Sequence, residues 1–73
     1  MVIKEVELLF QAGALKTPVI KKYDNGWSVS LDGIHKLNPM LETARGQVRV
    51  FKRLDAAVGV LFDIGFEEVK IVQ

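Results

Sequence analysis

The chain has 73 residues, 49% of them hydrophobic and 26% charged, with ten Lys and Arg against nine Asp and Glu. That balance excludes a disordered tail, the length excludes a second hydrophobic core, and no apolar run approaches the roughly 20 residues of a membrane helix. Cysteine is absent, which excludes disulfides, thiolate metal sites and a Cys nucleophile together.

Along the chain, Ile3 to Ala12 carries apolar residues at 3, 6, 9 and 10 among Lys4, Glu5, Glu7 and Gln11, a helical period. Gly13 is placed to terminate that helix. Thr17-Pro18 forces an extended backbone into Val19–Tyr23, a β-leaning segment. Asp24-Asn25-Gly26 then signals a hairpin, with Asn25 and Gly26 suited to the positive φ of a tight turn. Beyond it Trp27, Val29 and Leu31 alternate with Ser28 and Ser30, giving a strand with one apolar and one wet face. Asp32-Gly33 reads as a turn, and Asn38-Pro39 argues against a central strand nearby. Met40–Thr43 and Gln47–Lys52 flank Ala44-Arg45-Gly46 and predict a second hairpin, with Gly46 in the strained position. Leu54, Ala57, Val58, Leu61 and Gly65 recur at helical spacing, with Gly65 also able to cap the end. Glu68–Val72 alternates as a short final strand. The expectation is a single α+β domain over residues 1–73: an N-terminal helix, an antiparallel sheet of two hairpins, a second helix and a C-terminal strand.

Few residues are available for catalysis. The one histidine, His35, has no acid at helical spacing and no second histidine to join it, so neither a metal site nor a cofactor is expected. Ser28 and Ser30 lack the glycine pattern of a nucleophile elbow, and Glu67 and Glu68 are strand neighbours that point to opposite faces. No phosphate-binding loop or dinucleotide fingerprint occurs. The expectation is a non-enzymatic protein.

Charge is more informative. Residues 1–15 sum to −1, residues 16–53 to +5 and residues 54–73 to −3, so a near-neutral total conceals a basic centre between acidic ends. Arg45, Arg49, Lys52 and Arg53 surround the second hairpin next to Phe51, with Lys36 upstream and Lys21 and Lys22 on the first strand. Lysine and arginine neutralise phosphates, and strand-borne arginine can reach a groove edge, so these seven residues are the candidate contacts for nucleic acid or a nucleoprotein partner. The competing reading is that they are solvated charges that discourage edge-to-edge aggregation. Val60 and Phe62 lie off the seam of the second helix, and Trp27 adjoins a turn; these three are candidate interface residues.

A domain of this size buries only about 60% of its unfolded surface, which makes a homodimer a reasonable expectation. The N-terminus lacks a basic-then-apolar leader, so a cytoplasmic location is expected, without membrane contact.

Ile3–Leu15, Gly26-Trp27, the run Leu41–Ala57 and Ile64-Gly65-Phe66 together resemble small partition-associated, ParC-like accessory proteins encoded on bacterial plasmids. The Arg45-Gly46 turn, Arg49 and Phe51–Ala57 are the most specific points of contact. The resemblance implies a bacterial protein of a mobile element concerned with plasmid maintenance, and it transfers no catalytic residue. Small proteins of mobile elements also include inhibitors of host defence such as anti-CRISPR proteins. A protein-binding inhibitor or adaptor that occludes a surface without touching nucleic acid is therefore the alternative.

Overall fold

In the computed structural model, which describes residues 2–31 and 40–72, the apolar period of the N-terminus forms helix α1 (Ile3–Gln11). Val6 turns into the core, Ile3 and Phe10 pack beside it, and Glu5, Glu7 and Leu8 face solvent. Glu5 Oε1 accepts the Val2 N–H at 3.1 Å, satisfying one donor at the helix start.

Strands β1 (Val19–Tyr23) and β2 (Gly26–Ser30) form the expected hairpin, in a register from Val19↔Ser30 to Tyr23↔Gly26. The turn differs from expectation. It consists of Asp24 and Asn25, with Asp24 carrying the positive φ of +53°, a conformation that Asp tolerates. Gly26 is already in the strand, and its reason is steric. A Cβ there would strike the carbonyl oxygen of Phe51 and lie 2.7 Å from Val50 Cγ1.

The expected antiparallel sheet of two hairpins is corrected in two respects. First, β3 (Lys70–Val72) pairs in parallel with β1, Ile20 opposite Ile71, so the sheet is mixed and its order is β2-β1-β3. Helix α2 (Leu54–Ile64) supplies the crossover that a parallel pair requires. Second, residues 40–51 form no regular strands. Met40 bridges to Ser30, and Leu41 N–H donates to Val29 O at 2.8 Å. The chain then folds on itself through Glu42↔Val48 before Phe51 and Trp27 exchange both backbone hydrogen bonds at 2.8 Å. The expected turn at Ala44-Arg45-Gly46 is present, with Gly46 at φ +83°. Its legs stay short because both ends must return to the outer edge of β2.

Ile20, Val29, Leu31 and Phe51 line one face of the sheet and are buried with Val6 of α1 and Ala57 and Leu61 of α2. Each such aliphatic side chain contributes roughly 1.5–3 kcal/mol on leaving water. The far ends of the helices are joined by Phe10 and Phe66, whose rings meet edge to face with centroids 4.7 Å apart. Gly65 ends α2 at φ +127°, and the Phe10 ring occupies the space a Cβ would need, its nearest atom 2.7 Å away. The second helix thus begins and ends where its spacing predicts.

Candidate nucleic-acid interface

Strand alternation divides the adjacent lysines Lys21 and Lys22 between the two faces of the sheet. Lys22 shares the helix-bearing face with Ile20 and lies directly opposite Trp27, which in turn pairs with Phe51. The register therefore lines up Lys22, Trp27 and Phe51 in one row across the sheet. Lys22 Nζ sits 5.5 Å from the centroid of the Trp27 ring, and Arg49 Cζ sits 4.9 Å from the centroid of the Phe51 ring. Each contact contributes about 0.5–1 kcal/mol at an exposed site. Their larger consequence is positional, since a cation stacked on a ring keeps its N–H donors free to point outward. The planar guanidinium of Arg49 is also suited to two-pronged recognition of a phosphate.

The other predicted cations are placed differently. Arg45 is exposed at the tip of the 42–48 excursion, where its own N–H donates to Thr43 Oγ1 at 3.3 Å and tightens the turn. Lys52 is exposed at the lead into α2. Arg53 pairs with Asp55, Nε to Oδ1 at 3.3 Å and a second contact at 3.4 Å, so its charge is already answered within the chain. Lys21 lies on the opposite face of the sheet. Lys36, like His35 and Asn38-Pro39, lies outside the described residues.

Of the three candidate interface residues, Trp27 is half-buried and belongs to the cation–aromatic row. Val60 is half-buried and packs against the core, so it is not surplus apolar surface. Phe62 is 51% exposed. It is one helical turn from Gly59, where a Cβ would meet nothing within 4 Å.

A groove of about 420 Å³ runs between the start of α1 and the excursion, with Lys4 and Arg49 on its walls beside Glu42 and Thr43. A second, of about 390 Å³, lies where the helices end and is edged by Lys16, Glu67 and Glu68. Among the described residues no group of three or more His, Asp or Glu side chains is placed to hold a metal ion.

The sequence sets Phe51 among the charges and favours a core role for it over a stacking platform. Phe51 is 7% exposed, yet its ring carries Arg49. The i, i+2 spacing of Arg49 and Phe51 is the signal that places them on one side. No comparable signal pointed to Lys4, which reaches the groove only through the docking of α1. Comparison with protein-family models, with curated proteins and with solved structures finds no match.

Proposed function

We propose that this protein is a non-enzymatic accessory protein that contacts nucleic acid through the Lys22–Trp27–Phe51–Arg49 row and the adjoining turn bearing Arg45. The observation that supports this reading is the pairing register, which sets two cations over two directly paired aromatic rings. Such a surface answers the phosphate charge of a nucleic acid with cations held at fixed positions. The resemblance of residues 41–57 to plasmid partition-associated proteins suggests plasmid maintenance in a bacterial cytoplasm as the setting, and the small core suggests a homodimer as the working form.

The test is retention of labelled duplex DNA by the wild type and by the triple variant Lys22→Glu, Arg45→Glu, Arg49→Glu. Neutralising three phosphates predicts an affinity that falls about 40-fold between roughly 50 and 200 mM salt. The variant should lose both the binding and the salt dependence. Undiminished binding by the variant sinks the proposal.

A second reading rests on Phe62, exposed beside the mid-helix glycine Gly59. In that reading the outer face of α2 meets a protein target and the chain acts as an inhibitor or adaptor. A stoichiometric protein partner that survives nuclease treatment, and is lost with Phe62→Ala, is expected only in this case.

A further inference from the structure

The helix-free face of the sheet has a different chemistry from the row described above. Strand alternation places Val19, Lys21 and Tyr23 of β1 on it, together with Gly26, Ser28 and Ser30 of β2 and Lys70 and Val72 of β3. Tyr23 is 43% exposed on the central strand, and Lys21 and Lys70 are both exposed. None of these strand positions holds a carboxylate; the nearest in sequence are Asp24, in the turn, and Glu68, ahead of β3. The register sets Val19 opposite Lys70, so the stems of Lys21 and Lys70 are diagonal neighbours roughly 8 Å apart from strand spacing and rise. Tyr23 is two residues beyond Lys21 on the same strand and face, about 7 Å along it.

We propose that the open β1–β3 side of this face binds single-stranded nucleic acid, with a base stacked on Tyr23 and the backbone phosphates drawn to Lys21 and Lys70. The charge of the face selects a polyanion. The exposed phenol ring selects among polyanions, because a stacked duplex offers no base face to it whereas an unpaired strand does. Gly26 and Ser28 are buried and Val50 stands over Gly26, so the β2 half of this face is covered, and the Tyr23 ring with the two ammonium groups forms its exposed β1–β3 side. The inference rests on the reading of the chain as a nucleic-acid-contacting protein, but it uses residues that the cation–aromatic row does not.

The experiment titrates a fluorescein-labelled oligothymidylate, and separately a matched duplex, with the full chain. Tyr23→Ala is expected to weaken oligothymidylate binding about tenfold or more, the loss of one stacking platform, while Tyr23→Phe retains it. Lys21→Ala with Lys70→Ala should make the salt slope shallower by about 1.4, two single-strand phosphate contacts. All of these side chains are exposed, and Trp27 emission through a thermal melt verifies that each variant is folded. Oligothymidylate affinity unchanged by the open-face variants overturns this inference, and if the Lys22, Arg45 and Arg49 variant is the one that loses binding, the proposed function stands without it. Loss of oligothymidylate binding in the open-face variants alone supports the inference, and the duplex titration of the Lys22, Arg45 and Arg49 variant decides the cation–aromatic row separately. A wild type that binds neither oligonucleotide overturns both.

Discussion

Glycine-to-alanine substitution should have opposite effects at two positions of this chain, and the difference measures how β2 is held. At Gly26 the added methyl meets the carbonyl oxygen of Phe51 and lies 2.7 Å from Val50 Cγ1. A flexible side chain could turn away, but a backbone carbonyl moves only with its segment. The two 2.8 Å hydrogen bonds between Trp27 and Phe51 are therefore stretched or lost. Overpacking costs about 1–3 kcal/mol, and two weakened backbone hydrogen bonds add roughly 1 kcal/mol each, so Gly26→Ala should destabilise by about 3–5 kcal/mol. The whole domain, at about 0.05–0.15 kcal/mol per residue, has only about 4–11 kcal/mol to lose. At Gly59 the same methyl meets nothing within 4 Å. Replacing a mid-helix glycine there should stabilise by about 0.5–1 kcal/mol. Urea titration followed through Trp27, the single tryptophan, reports both. A Gly26→Ala variant within about 0.5 kcal/mol of wild type would refute the close approach of segment 51 to β2.

The other predictions use the same titration. Gly65→Ala combines a φ of +127° with a methyl pressed against the Phe10 ring and should cost about 2–4 kcal/mol; a neutral result would mean that the Phe10–Phe66 contact does not constrain the end of α2. Leu61→Ala removes a fully buried side chain from the seam of α2 and should cost about 2–5 kcal/mol, with a loss below about 1 kcal/mol contradicting its burial. Asp55→Ala should change stability by under about 1 kcal/mol, because both partners of its pair with Arg53 are mostly exposed. The same substitution releases the Arg53 guanidinium and should strengthen duplex binding if the proposed surface extends that far; unchanged affinity confines the surface to Lys22, Arg45 and Arg49.

Local chemistry made parts of this fold legible. Thr17-Pro18 set the start of β1, the spacing from Leu54 to Leu61 set α2, and Gly65 marked its end. Each of these signals lies within a few residues of the element it defines. The pairing of β3 with β1 was hidden because it joins residues about fifty positions apart, and alternation within Glu68–Val72 is the same for a parallel or an antiparallel neighbour. Residues 40–51 misled for a different reason. Their turn signal is correct, but strand length depends on what the legs pair with, and here both legs pair briefly with β2 rather than at length with each other. Gly26 shows the same limit, since a glycine needed for a close approach looks in sequence like a glycine needed for a turn.

The candidate site followed this division. The sequence displayed the cations, but the register decided which of them act together. Lys21 and Lys22 are neighbours in the chain and lie on opposite faces, whereas Lys22 and Arg49, far apart in the chain, stand at two ends of one aromatic row. Arg53, in the densest basic run, has its charge met by the nearby carboxylate of Asp55.

The close approach at Gly26 also connects stability to the proposed binding surface. It holds Phe51 against Trp27, which buries the Phe51 ring in the core and brings Arg49 over that ring. Three residues later the chain enters α2, so the packing of the helix and the position of the guanidinium depend on the same backbone pairing. The two effects differ in size. Burial of Phe51 contributes roughly 1.5–3 kcal/mol, whereas each exposed cation–ring contact contributes about 0.5–1 kcal/mol. Charge-reversed Lys22 and Arg49 should therefore cost about 1–2 kcal/mol of stability together, less than Gly26→Ala does, while removing affinity for a polyanion. Gly26→Ala, which removes no cation, should weaken the fold and binding together. That contrast separates a surface that reads charge from one that needs the rings held in register.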